Sequence, residues 1–347
     1  MPGVTRRVMM TTDAVGGVWR YSMDLARGLT RRGWTVRLAV LGPPPDPTQR
    51  AEARVELVET GLQLDWTAES PAELERVSAS LAQVAAGTDV ALLHAPALLG
   101  DAAWPAPVAA MVHSCVGTWW RAVRGGPLPS DLAWRAGATR AGLLRADAVI
   151  APTHALASAL QAVYGATGLT VVHNGRAPNL APAVAGRRGV LTAGRLWDEG
   201  KGVACLDRVA SRLGLPFAAS GSIRAPDGAG IVLRHLRLLG VLDESAMAAA
   251  MAGARVFASA ARYEPFGLAV LEAAQAGCAL VLSDIPSFRE LWDDAAVFVA
   301  PGDEAGWVSA LTASHADPAL GAAARARAAR YTADAMVDAT AAVLARL

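Results

Sequence analysis

The sequence predicts an α/β protein made of two doubly wound, parallel-sheet domains. Three observations carry that prediction. The chain has 347 residues, more than a single hydrophobic core ordinarily supports. It is 53% hydrophobic and only 18% charged, a composition of large buried cores and not of disorder. Short apolar runs alternate with longer helical patterns along its whole length, as strands joined by crossover helices do.

Taken in order, strands are expected near Arg7–Thr11, Trp34–Leu41, Val55–Val58, Asp89–His94, Val108–His113, Ala148–Ala151 and Thr170–His173. Helical patterns fill the gaps at Val18–Arg31, Ala72–Ala85, Leu132–Leu144 and Ala155–Val163. Two stretches without Asp, Glu, Lys or Arg, Ala102–Trp120 and Ala148–Gly175, contain prolines and polar residues. They read as buried strands with flanking loops and helix, not as membrane spans. The Pro/Ala/Gly-rich segment Arg176–Gly189 reads as an interdomain linker. The alternation then restarts, with strands near Val190–Ala193, Pro216–Ser220, Arg255–Ser259, Ala279–Leu282 and Ala296–Val299. Helices are expected at Val203–Leu213, Ser245–Met251, Phe266–Ala276, Phe288–Trp292, Glu304–Ala313, Pro318–Ala329 and Ala333–Leu347. Asp317 and Thr332 are natural N-caps, and Pro318 and Pro265 suit first helical positions. In doubly wound sheets ligands bind at the carboxyl ends of the strands, so loops there are the places to look.

Charge and cysteine content narrow the function. The formal net charge of +1 gives no global attraction to nucleic acid. Lysine and arginine total 32, yet Lys201 is the one lysine. Cys115, Cys205 and Cys278 are too far apart in sequence for a metal motif. Residues 1–7 lack the apolar core of a signal peptide. Reduced thiols and a cytoplasmic location are the expectation. Arg27, Arg31 and Arg32 cluster on the first helix, either as a solvated face or as a weak peripheral membrane contact.

Three constellations carry chemistry. The turn Asp13–Trp19 holds Gly16 and Gly17 between the first strand and first helix, as a tight turn or a ligand loop. The loop Ala193–Gly202 sets Arg195 and Lys201 six residues apart after the first strand of the second half. A planar fork and a compact point charge together suit a diphosphate. Finally, Glu264-Pro-Phe-Gly-Leu-Ala-Val-Leu-Glu272 places one carboxylate before a helix start and another on the helix. A helix N-terminus between two acidic groups offers amides for phosphate and acceptors for sugar and ribose hydroxyls. His94 and His113 close their strands, and Trp119-Trp120 near His113 is a candidate sugar-stacking surface. No Asp-x-Asp, His-x-x-x-His, paired-cysteine or Gly-x-Ser-x-Gly pattern is present, so no metal or serine nucleophile is expected.

Together these residues resemble glycosyltransferase family 4, of GT-B fold, over nearly the whole chain. The resemblance rests on Gly16-Gly17 with the helix–strand unit after it, Val172-His173-Asn174-Gly175, Gly194-Arg195 with Lys201-Gly202, and Leu239-Gly240-Val241. Glu264 to Glu272 is similar to the family's E-x7-E signature, followed by Ser283-Asp284-Ile285-Pro286 and Pro301-Gly302-Asp303. It implies two Rossmann-like domains facing a central cleft: residues 1–178 on the acceptor side, 179–331 on the donor side, and a final helix over 332–347 that crosses back. It implies catalytic roles for Glu264, His113, Arg195 and Lys201. On the donor side it adds Gly16, Gly17, Gly221, Val241, Phe266, Gly267, Leu268 and Glu272. Departures from the family pattern are Ala260-Ala261 in place of Pro-Ser, and Ser220-Gly221-Ser222 in place of Gly-x-Gly. The expected activity is retaining, metal-independent transfer from a nucleoside-diphosphate sugar to an acceptor hydroxyl, with no cofactor. The acceptor stays open among saccharide, lipid-linked and small molecules. The alternatives are a nucleotide-sugar epimerase and a non-catalytic sugar-nucleotide-binding module.

Overall fold

The computed structural model describes residues 5–182, 184, 186–225 and 228–347. Residues 1–4, part of the segment read for a leader, and residues 183 and 185 of the expected linker lie outside the described residues. The chain divides into two compact units, residues up to Gly175 together with Ala333–Leu347, and Arg176–Thr332.

In the first unit the strands are β1 (Arg7–Asp13), β2 (Thr35–Leu41), β3 (Glu56–Glu59), β4 (Val90–Leu93), β5 (Val108–Met111), β6 (Ala148–Ala151) and β7 (Thr170–Val171). The helices between them are α1 (Gly17–Arg31), α2 (Pro47–Ala53), α3 (Pro71–Val84), α4 (Val116–Val123), α5 (Ser130–Arg145) and α6 (His154–Tyr164). All strand pairs are parallel, in the order β3-β2-β1-β4-β5-β6-β7. Alternation along β1 explains the layering: Val8 and Met10 enter one core, Met9 the other.

In the second unit the strands are β8 (Val190–Ala193), β9 (Phe217–Ser220), β10 (Arg237–Gly240), β11 (Val256–Ser259), β12 (Ala279–Ser283) and β13 (Val297–Val299). Its helices are α7 (Val203–Ala210), α8 (Glu244–Gly253), α9 (Leu268–Gln275), α10 (Pro286–Trp292), α11 (Glu304–Ala316) and α12 (Ala319–Ala328). The parallel order is β10-β9-β8-β11-β12-β13. Phe257 and Leu280 fill one face while Val256 and Val281 fill the other.

The last helix, α13 (Ala333–Leu344), belongs to the first unit and packs on α1. Met336, Val337, Val343 and Leu344 complete the α1 core. The arginines of α1 are occupied there: Arg32 Nε lies 2.6 Å from Asp338 and Arg31 3.2 Å from Asp334, while Arg27 lies 4.0 Å from Glu52. They form an ion-paired face on α1.

Two arginines of the expected linker, Arg176 and Arg187, are held in place. Arg176 is buried, and Arg187 donates to the carbonyls of Met251, Ala254, Ala276 and Gly277 at 2.7–3.1 Å. It thereby satisfies the orphan carbonyls closing α8 and α9. Cys115, Cys205 and Cys278 form no disulfide. Among the described residues no helix is long and apolar enough to cross a membrane.

Candidate active site

Each sheet reverses its strand order once, between β8 and β11 in the second unit and between β1 and β4 in the first. Such switch points open a crevice at the carboxyl ends of the strands.

In the second unit the loops after β8 and β11 meet. The amides of Arg262 and Tyr263 donate to the Gly200 carbonyl at 2.8 and 3.2 Å. Asp198 accepts from the Gly200 amide at 2.9 Å and shapes the turn that carries Lys201. Lys201 Nζ lies 2.6 Å from Glu264 Oε2, with both side chains about four-fifths buried. The Ser287 hydroxyl donates to the Glu264 carbonyl at 2.6 Å and fixes that backbone from α10.

The helix after Glu264 starts later than expected. Pro265 is not its first residue: Gly267 is the N-cap, at φ 91°, and α9 runs from Leu268. The left-handed conformation at Gly267 interrupts the run, and a side chain there would meet Glu264, Phe288 and Val270 at 3.3 Å. The first intrahelical bond joins the Leu271 amide to the Gly267 carbonyl at 3.1 Å. Amides at Leu268, Ala269 and Val270 precede it and have no intrahelical acceptor. Phe266 is 3% exposed and meets Tyr331 edge-on at 5.7 Å, so its ring is core and only its backbone remains for a ligand.

The other second-unit candidates fall around the same strand ends. Gly221 follows β9, its amide bonds the Gly240 carbonyl at 2.8 Å, and a Cβ there would strike the Gly194 carbonyl. Val241 follows β10 and is 78% exposed. Arg195 is on the loop with Lys201 but not in contact with Glu264. It lies 3.1 Å from Asp198 and 5.6 Å from the Trp197 ring, 60% exposed. Glu272 sits on α9 and is engaged by Arg176 at 3.2 Å; Arg176 also lies 3.4 Å from Glu244. Arg176, Asp198 and Ser287 escaped the sequence reading. Arg176 directly follows the Val172–Gly175 run, and that position was its only signal.

In the first unit, Gly16 caps α1 at φ 85° and Gly17 is its first residue. His94 follows β4 and His113 follows β5, and the fold brings their rings within 5.1 Å, with Tyr21 4.7 Å from His113. The Ser22 hydroxyl lies 3.1 Å from His94 Nδ1. Among the described residues neither buried Nε2 has a partner. Burial pushes His113 down to about 4 and His94 well below the ordinary range, with His113 beside it adding to the effect. Both rings are neutral at physiological pH and serve as hydrogen-bonding groups. Trp119 and Trp120 lie side by side on α4, 6.3 Å apart. Among the described residues no three His, Cys, Asp or Glu side chains gather as a metal site.

The sequence profile of glycosyltransferase family 4 matches residues 15–179, and that of the glycosyl transferases group 1 matches residues 187–317. A phosphatidyl-myo-inositol mannosyltransferase of Mycobacterium leprae is 30% identical over 334 residues, 87% of this chain and 84% of that protein. The chain belongs to glycosyltransferase family 4. This family 4 glycosyltransferase is an enzyme, and solved structures share its fold. Sucrose-phosphate synthase from Thermosynechococcus elongatus superposes with a TM-score of 0.81 at 18% identity, covering 98% of both chains. Anabaena HepE, solved with UDP-glucose, gives 0.75 at 16% identity, over 98% of this chain and all of the other. The two Rossmann-like units are those of the GT-B fold.

Proposed function

We propose that the chain transfers a hexosyl group from a nucleoside-diphosphate sugar to an acceptor hydroxyl, with retention of configuration and without a metal ion. The observation that carries this reading is the Lys201–Glu264 contact, made by loops from either side of the second sheet's switch point. When a donor binds, the Lys201 ammonium passes to the diphosphate and Glu264 turns to the hydroxyls of the sugar. The amides opening α9 and the Arg195 guanidinium, swinging from Asp198, share the charge that grows on the leaving group. This cationic set replaces a metal ion. Glu272, held by Arg176, takes the ribose hydroxyls. Gly221 and Val241 border the base. Neutral His113 offers its Nε2 as an acceptor to a ligand hydroxyl, and Gly16-Gly17 lie on the same, acceptor-bearing unit. The names of the mannosyltransferase relative and of the UDP-glucose complex support a hexose donor. The acceptor is a saccharide, a lipid-linked sugar or a small molecule, and the protein acts in the cytoplasm.

A thermal-shift screen against UDP-, GDP-, ADP- and TDP-sugars identifies the donor, because a ligand of the folded state raises the melting temperature. Incubation with that donor and EDTA should then release the sugar slowly, with its anomeric configuration kept. Epimerised donor would replace the transferase reading, an inverted product would end retention, and abolition by EDTA would end metal independence.

A further inference from the structure

The first unit holds a surface pocket of about 390 Å³ between α4, α5 and α6, which the donor reading leaves unused. Its volume falls among those of small-molecule sites, roughly 300–1,000 Å³. Its walls are apolar: Trp120 from α4, Leu128 from the loop to α5, and Val163 and Tyr164 from the end of α6. The Tyr164 hydroxyl is occupied within the protein, accepting from the Gly117 amide at 3.1 Å and donating to Cys115 Sγ at 3.4 Å. The same pocket is lined by Arg121 of α4 and Arg140 of α5.

Both guanidiniums are exposed, and among the described residues neither has a carboxylate partner. Neighbouring arginines are taken: Arg145 pairs with Asp101 at 3.0 Å and Arg135 donates to the Asp65 carbonyl at 3.0 Å. Between residues 101 and 147 five arginines stand against three aspartates, and one of these, Asp101, is the partner of Arg145. Two exposed guanidiniums, Arg121 and Arg140, thus border an apolar cleft.

That combination selects its ligand. An alkyl chain desolvates the walls, at about 25 cal/mol per Å² of apolar surface buried. An anionic head takes the forked N–H groups, which match phosphate oxygens in geometry and charge. A neutral amphiphile leaves the arginines unused, and free phosphate leaves the walls wet. The geometry points to this pocket as a binding site for an amphiphilic anion, a phosphate head carrying an alkyl chain.

The test is calorimetric titration with dodecyl phosphate below its critical micelle concentration, beside dodecyl maltoside and inorganic phosphate. Dodecyl phosphate should saturate at one per chain, and both controls should bind at least about tenfold more weakly. The doubly substituted protein, Arg121→Ala with Arg140→Ala, should lose at least about tenfold in affinity. Leu128→Glu, which sets a like charge in the cleft, should abolish binding. Sedimentation with phosphatidylglycerol and phosphatidylcholine vesicles separates two sources. Arginine-dependent binding to the anionic vesicles assigns the site to a bilayer lipid, and binding of monomers alone assigns it to a free amphiphile. Absence of saturable binding overturns the inference, as does equal binding of dodecyl maltoside or an unaffected double variant. Donor hydrolysis should be unchanged in the double variant, so the result separates this site from the transferase reading.

Discussion

Lys201 is the residue on which the donor reading turns. Its contact with Glu264 lies at the crevice, and both side chains are only partly exposed. Lys201→Ala should lower turnover by about a hundredfold or more while the melting temperature stays near that of the parent. Steady-state kinetics on the identified donor measure this, and an unchanged kcat would remove Lys201 from the mechanism. Glu272 differs, because it is the counter-ion of a buried arginine. Breaking such a pair costs about 3–5 kcal/mol when the remaining charge is fully buried, and less here because Glu244 also lies near Arg176. Glu272→Gln should thus weaken both nucleoside-diphosphate binding and urea stability. If calorimetry finds the affinity intact, Glu272 serves Arg176 alone. The histidines set a pH dependence. His113 titrates near 6.5 when unfolded and at about 4 when folded, so the unfolded state binds more protons between those values. Stability is fully present above pH 6.5 and is lost as the pH falls from there toward 4. Replacing His113 with Gln should flatten the acid limb in pH-dependent denaturation curves. An unaltered slope would show that the ring does not titrate this way.

At the scale of elements, the ends of helices matter most. Arg187 closes α8 and α9 together by serving four of their terminal carbonyls. Arg187→Met leaves those acceptors without a donor, each worth about 1–3 kcal/mol if it stays dry. The second unit should lose several kcal/mol in urea denaturation, and a loss below about 1 kcal/mol would mean that water replaces the guanidinium. How far such elements could be read in advance follows from their chemistry. β8 and β11 are apolar runs with buried residues on both faces, and they were legible to within a residue. β10, Arg-Leu-Leu-Gly at the sheet edge, is mostly exposed and has no alternation to reveal it. The short helices α2 and α4 were also missed. Proline at 265 signalled a helix start, but the positive φ at Gly267 moved that start to Leu268, and backbone torsion leaves no hydrophobic pattern. At the site, the Lys201 and Glu264 loops were legible because both follow strands. Contacts such as Arg176–Glu272 join residues distant in sequence, and only the fold reveals them.

At the scale of the whole molecule, the two units make separate predictions. A nucleoside diphosphate binding residues 176–332 should raise the melting transition of that unit, followed in calorimetry with the parent and Lys201→Ala proteins. If the ligand shifts only a transition that responds to His113→Gln, the donor assignment belongs to the other unit. The return of the chain into the first unit has a different consequence. Residues 176–332 enter and leave where Gly175 bonds Met336 Sδ at 3.3 Å and the Arg176 amide bonds the Tyr331 carbonyl at 3.2 Å. During synthesis α13 emerges from the ribosome after the whole of that insertion. Until it arrives, α1 packs on β1 and β2 but lacks the cover that Met336, Val337, Val343 and Leu344 supply, although domains generally mature from the N-terminus onward. The unit translated first thus gains its last core residues only when translation ends.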